Sequence, residues 1–92
     1  MLKHGEVTAQ IVQAFYHVYN TLGCGFLEKV YENALAIELR ERGLHVQQQA
    51  PIKVHYNGVV VGEYYADLLV AGCVIVELKA AETLADEHFA GR

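Results

Sequence analysis

The sequence has few basic residues, little proline and no long apolar segment. Lysine and arginine total 7 against 11 Asp and Glu, giving a formal net charge of −4. This charge excludes a generic basic nucleic-acid binder, so a nucleic-acid partner would need a local basic patch or bound metal cations. The chain contains a single proline, and 53% of its residues are hydrophobic. This composition excludes a disordered chain. The 92 residues predict a single domain, residues 1–92, with a thin core.

The sequence also offers no secretion signal and no membrane span. No apolar signal-peptide core follows the single lysine of the N-terminus, Lys3. The longest apolar run, residues 68–76, is about half of the roughly 20 residues that cross a bilayer. Cys24 and Cys73 form no CxxC pair and are typical of reduced thiols. We therefore expect a soluble cytoplasmic protein without membrane contact.

Two helices are predicted in the first half of the chain. Apolar residues recur every three or four positions over residues 6–22, which indicates an amphipathic helix. Gly23 and Gly25 favour left-handed backbone and end it. A second helix is predicted over residues 27–42, where Gly43 provides a C-terminal stop.

Three strands are predicted after the helices. Residues 46–56 and 59–69 flank Asn57-Gly58, a pair that favours a type I′ hairpin turn. Pro51 favours an edge position or an irregular start for the first of these strands. A third strand, residues 73–79, is apolar on both sides and is expected to be covered on both faces.

A further helix is predicted to begin at Thr83. The fold class is therefore α/β (α+β): two N-terminal helices, a three-strand antiparallel meander and the start of another helix. A three-stranded sheet has two exposed edges, so we expect a further strand or another copy of the chain to cover them.

Three charged residues end the last two predicted strands. Asp67 lies on one strand, and Glu77 and Lys79 share a face of the next. Carboxylates on adjacent strands suit Mg²⁺ or Mn²⁺, and a lysine beside the metal would orient or deprotonate a water. Alternatively, Glu77 and Lys79 form only a solvated ion pair at a strand end. The spacing does not decide between these interpretations.

Register is a test of the metal hypothesis. A two-residue turn at Ala71-Gly72 would place Asp67 opposite Val76 and turn Glu77 to the other face. The metal site therefore requires a wider loop, or a bulge near Asp67.

Two more residues are candidates on weaker grounds. Counting back through the Asn57-Gly58 turn places Gln48 opposite Asp67, where its amide would orient the carboxylate. Alternatively, Gln48 is simply an exposed polar residue of the strand. Glu28 lies in the first turn of the predicted second helix, where on residue type alone it complements the helix dipole.

Three sequence blocks carry a family resemblance: LGCGFLEKVY at residues 22–31, YADLLV at 65–70 and VELKA at 76–80. Together they resemble the bacterial family named for its GxxExxY motif, within the PD-(D/E)xK nuclease-like superfamily. The blocks occur in the family's order, and the resemblance covers about residues 11–88. It implies a restriction-endonuclease-like core.

The resemblance also implies an activity and roles for single residues. Glu28, Asp67 and Glu77 would gather around a divalent cation, Mg²⁺ or Mn²⁺, and Lys79 would assist the attacking water. Asp67, Glu77 and Lys79 are then the catalytic residues of phosphodiester hydrolysis on DNA or RNA. Tyr31 matches the motif tyrosine, either packed under the site or acting directly.

The C-terminus departs from the family pattern. Relatives continue with a glutamine-bearing helix and a final strand, whereas here Gly91 stands at the usual glutamine position. We therefore expect a C-terminally shortened chain without the final core strand. The alternative function is a catalytically inactive nuclease-like domain that acts through self-association or partner binding, as a homo-oligomer covering its sheet edges.

Overall fold

Residues 3–79 are described by a computed structural model and form two helices and one three-stranded antiparallel sheet. Along the chain they are α1 (His4–Leu22), α2 (Glu28–Glu41), β1 (Val46–Tyr56), β2 (Val59–Val70) and β3 (Val74–Val76). The strand order β1-β2-β3 confirms the predicted meander and the mixed α/β class. The helix predicted from Thr83 lies outside the described residues.

Glycines end both helices, as predicted. Gly23 and Gly25 have φ of 79° and 102°, and Gly43 has φ of 89°, values that residues with a side chain rarely adopt. Of the described helices, none combines the length and the hydropathy that a membrane span requires.

The core lies between the helices and one face of the sheet. It is formed by apolar side chains that recur at three- and four-residue spacing in the helices and at alternate positions in the strands. They are Val7, Ile11, Ala14, Leu35, Ala36, Leu39, Val46, Leu68 and Val70. Because Leu68 and Val70 face the helices, Asp67 and Leu69 belong to the opposite side of β2.

The hairpin between β1 and β2 carries a bulge that sequence counting does not reveal. Asn57 and Gly58 have φ of 50° and 79°, confirming the type I′ turn. His55 pairs with Val60, but Val54 pairs with Gly62, so the register shifts by one residue. Beyond this bulge, each paired residue of β1 lies opposite a β2 residue one position later than counting back from the Asn57-Gly58 turn predicts. Within the sheet of residues 3–79, Pro51 lies on an edge strand, one of the two predicted placements.

Strand β3 is shorter and less buried than predicted. It spans Val74–Val76 rather than residues 73–79, and Ile75 remains 45% exposed. The prediction of a strand covered on both faces is therefore wrong for the described part of the chain. The helices of residues 3–79 cover one face only.

The turn between β2 and β3 is wider than two residues. Ala71 and Gly72 have φ of 54° and 69°, and the Cys73 N–H donates to the Val70 carbonyl at 3.1 Å. Val70 pairs with Val74 and Leu68 with Val76. The two-residue turn that would have turned Glu77 to the other face is therefore not formed, and the wider loop that the metal hypothesis requires is present.

Candidate functional site

Asp67 and Glu77 face each other where β2 and β3 separate. The pairing of Leu68 with Val76 places these two residues opposite each other at the next position. The Asp67 N–H donates to Glu77 Oε2 at 2.9 Å, and the Leu78 N–H donates to Asp67 Oδ2 at 2.6 Å. Each carboxylate therefore accepts a main-chain amide of the other segment, and these contacts stand where main-chain ladder bonds would continue.

This pair of carboxylates fits a hard divalent cation. Each amide contact occupies one carboxylate oxygen, and each carboxylate has a second one. Mg²⁺ is commonly held by one or two carboxylates, together with waters and substrate phosphates. Within residues 3–79 no group of three or more His, Cys, Asp or Glu is arranged to hold a metal. The structure thus joins Asp67 to Glu77 without bringing Glu28 to them.

Glu28 and Lys79 lie at a neighbouring position. Glu28 is the exposed first residue of α2. It lines a small cavity with Lys79, together with Phe15, Tyr19, Tyr31 and Leu78. Lys79 also lines a groove that includes Glu77. The segment of residues 77–79 therefore connects the acidic pair with the start of α2.

Tyr31 closes the loop that precedes α2. Its hydroxyl donates to the Gly23 carbonyl at 2.5 Å and accepts the Phe26 N–H at 3.4 Å. Its ring packs near Tyr19, with centroids 6.0 Å apart. The tyrosine thus has a structural role: it fixes the glycine-containing loop, and through it the position of Glu28.

Glu32 is a buried acid that the sequence analysis missed. It is only 4% exposed and is the only polar or charged residue among the buried ones in residues 3–79. Its carboxylate accepts hydrogen bonds from Gln48 Nε2 at 2.8 Å and Gln49 Nε2 at 3.0 Å. Lys29 Nζ lies 3.0 Å from it as an ion pair. Its spacing from Leu35, Ala36 and Leu39 would have placed it on the buried face of α2.

The environment of Glu32 favours its charged form. Burial alone would raise the pKa of this carboxyl. Hydrogen bonds from Gln48 and Lys29, the positive charge of Lys29 and the hydrogen bond from Gln49 act in the opposite direction and hold the pKa below its usual range. We treat Glu32 as an ionised structural group at neutral pH.

The predicted register of Gln48 is wrong. Gln48 pairs with Leu68, not with Asp67, because the bulge near His55 displaces the strands by one residue. The Gln48 amide is hydrogen-bonded to Glu32 and, at 2.8 Å, to Asn33 Oδ1. Gln49 instead occupies the position opposite Asp67, between the pairs Gln48–Leu68 and Ala50–Ala66.

A sheet backed by two helices, with an acidic pair where two strands separate, defines the class of helix-backed α/β domains with a candidate cation site. Comparison with protein families gives the more specific result. A family model described as the PD-(D/E)XK nuclease superfamily matches residues 5–91, so the chain belongs to that superfamily. A search of curated proteins and a search of solved structures returned no match.

Proposed function

We propose that this protein is a divalent-metal-dependent nuclease that hydrolyses phosphodiester bonds in DNA or RNA. The observation that carries the proposal is the opposed pair Asp67 and Glu77, joined by reciprocal amide contacts in a chain of the nuclease superfamily. Carboxylate oxygens on neighbouring strands are a donor set suited to Mg²⁺ or Mn²⁺.

Asp67 and Glu77 would hold the cation. When bound there, a divalent cation supplies Lewis-acid stabilisation of phosphate charge and a more acidic water. It would also offset the repulsion between a protein of net charge −4 and a polyanionic substrate. Lys79 would orient the attacking water or stabilise charge on the phosphate, since it lines one groove with Glu77. Glu28 would join from α2 when substrate and cation draw the segments together.

We also propose membership of the GxxExxY family. Gly25, Glu28 and Tyr31 are the Gly, Glu and Tyr of the GxxExxY motif. The contacts of the Tyr31 hydroxyl explain why these residues occur together. A hydroxyl bonded to the loop at Gly23 and Phe26 keeps the loop closed and presents Glu28 at the helix start. C-terminal shortening of the chain stays a prediction.

Cleavage assays test the nuclease proposal directly. The full chain is incubated with labelled single- and double-stranded DNA and RNA, with Mg²⁺, with Mn²⁺ or with EDTA. We expect metal-dependent cleavage of at least one substrate that is lost in Asp67→Asn and Lys79→Ala. Glu63→Gln, an exposed acid remote from the pair, is the matched control and should cleave normally. Cleavage that survives EDTA and both substitutions would contradict the assignment.

A second candidate function is self-association without catalysis. The observation that favours it is the exposed apolar surface of the hairpin, where Tyr56, Val59 and Val61 are 69%, 63% and 61% exposed. Strand β2 is also longer than β3: among the described strands, β3 pairs with Leu68, Leu69 and Val70 of β2 and with no other residue. Light scattering of the full chain tests it. A concentration-dependent dimer that Val61→Lys converts to a monomer supports this function, and a monomer at all concentrations contradicts it.

A further inference from the structure

The backbone of Gln49 is the unusual feature of β1. Its φ of 51° lies in the left-handed region, which residues other than glycine rarely adopt within a strand. The ladder between β1 and β2 is interrupted at this residue, although both neighbours, Gln48 and Ala50, are paired. Unfavourable backbone conformations persist where surrounding contacts impose them, and they cluster near functional sites.

The contact that holds Gln49 comes from α2. The Gln49 Nε2 donates to Glu32 Oε1 at 3.0 Å, while the preceding Gln48 Nε2 donates to Glu32 Oε2 at 2.8 Å. Successive side chains of a regular strand point to opposite faces, so they could not both reach one carboxylate on the helix side. The positive φ of Gln49 allows both glutamines to bind the same acid.

The consequence falls on Asp67. In a regular ladder the Gln49 side chain would stand beside Asp67 on the face opposite the helices, with Cβ atoms about 4.5–5.5 Å apart. There its amide would bind the carboxylate and occupy space next to it. The hydrogen bond to Glu32 holds the Gln49 side chain on the helix side of the sheet. The Gln49 amide therefore does not lie next to the Asp67 carboxylate.

We propose that Glu32 is a positioning residue that acts through Gln49 to keep the Asp67 carboxylate open to a cation. The inference rests on the proposed function, in which Asp67 and Glu77 hold the metal. It assigns the buried acid a role beyond joining α2 to β1. Removal of a residue that does not bind the metal itself but positions a metal ligand typically lowers metal affinity about 10–100-fold.

The test follows Gln49 and the affinity for Mn²⁺ separately. In Glu32→Ala we expect NMR to detect a new cross-strand contact between the Gln49 and Asp67 side chains. We also expect a loss of about tenfold or more in Mn²⁺ affinity. The double variant Glu32→Ala/Gln49→Gly should restore the affinity to within about twofold, because glycine accepts positive φ and has no side chain to place beside Asp67.

A second variant keeps the test independent of the folding of Glu32→Ala. Gln49→Val retains Glu32, but a β-branched residue disfavours positive φ and should restore the regular strand. We expect it to lower Mn²⁺ affinity about tenfold as well. Circular dichroism and thermal melting confirm that each variant is folded.

Three outcomes overturn the inference. Gln49 could stay on the helix side in Glu32→Ala, the affinity could fall without rescue by Gln49→Gly, or Gln49→Val could bind Mn²⁺ as tightly as the unsubstituted chain. A wild-type chain that binds no Mn²⁺ contradicts the proposed nuclease function instead. The NMR contact between Gln49 and Asp67 then decides the positioning role by itself.

Discussion

The two halves of the β1/β2 hairpin differ sharply in burial. The inner half, residues 46–50 and 66–70, packs against the helices with five side chains at 5% exposure or less: Val46, Ala50, Ala66, Leu68 and Val70. The outer half, residues 51–65, exposes seven large apolar side chains: Val54, Tyr56, Val59, Val60, Val61, Tyr64 and Tyr65. Both halves belong to the same two strands. Their difference in burial therefore comes from packing against the helices and not from strand propensity.

The comparison also explains where the candidate site lies. Asp67 belongs to the inner half, next to the buried Ala66 and Leu68, so the core fixes its backbone. A cation site needs ligands held in place by packing. The outer half has a tight turn and a bulged ladder, few of its side chains are buried, and its acid, Glu63, is exposed. The proposed cation site therefore lies in the inner half, and the surface of the second candidate function lies in the outer half.

The largest effect is expected from a core truncation in the inner half. Leu68 is fully buried, so Leu68→Ala should lower the free energy of unfolding by about 3 kcal/mol. Val59→Ala, at a 63% exposed position of the outer half, should change it by less than about 0.5 kcal/mol. Urea denaturation of both variants measures the difference. Equal losses would remove the distinction between the halves.

The next effect is expected at the buried acid beneath the inner half. Glu32→Ala should cost about 2 kcal/mol, since it removes a buried carboxylate that accepts hydrogen bonds from Gln48, Gln49 and Lys29. Glu63→Ala, which removes an exposed carboxylate of the outer half, should change stability by less than about 0.5 kcal/mol. Thermal melting at neutral pH compares them. A neutral effect at Glu32 would contradict its role as a structural ion.

Glu32 should also make the stability of the protein depend on pH. The folded pKa of Glu32 lies below its usual range, so the unfolded chain binds more protons and stability rises with pH. The contribution is complete above the unfolded pKa of about 4.3 and is lost as the pH falls through the lower folded pKa. In Glu32→Gln this part of the dependence should disappear. Denaturation between about pH 3 and 7 measures it, and an unchanged slope in the variant would contradict the assignment.

The smallest stability effect is expected in the outer half. Val61 lies at the register shift and is 61% exposed, so Val61→Lys should change the free energy of unfolding by less than about 0.5 kcal/mol. If the outer half associates, the same variant should abolish the dimer in light scattering. A large stability loss in the monomer would show that the outer half also contributes to the core.

Local sequence signals predicted the elements but not their alignment. The strand β1 and the Asn57-Gly58 turn follow from alternation and turn chemistry, which act over a few residues. The predicted position of Gln48 failed, because one extra residue near Val61 reverses which glutamine faces Asp67. A bulge has no strong sequence signal, since it depends on how the strands twist against each other.

Part of the geometry around Asp67 and Glu77 could be anticipated from the sequence, and part could not. Asp67 and Glu77 are opposed because the turn after β2 has three residues, a possibility that the sequence left open. Burial of Glu32 does not follow from the pattern of apolar residues alone, although its helical spacing matches the buried face of α2. A charge at a core position is a signal of its own, since burial requires partners for it.

Titration of the isotopically labelled full chain with Mn²⁺ would locate the metal site by NMR. Paramagnetic broadening should appear first at the backbone amides of Asp67 and Leu78, leave the outer half unaffected, and vanish in Asp67→Asn. Absence of broadening in the wild-type chain, or broadening around Glu63 that persists in Asp67→Asn, would contradict the claim that Asp67 and Glu77 form the metal site.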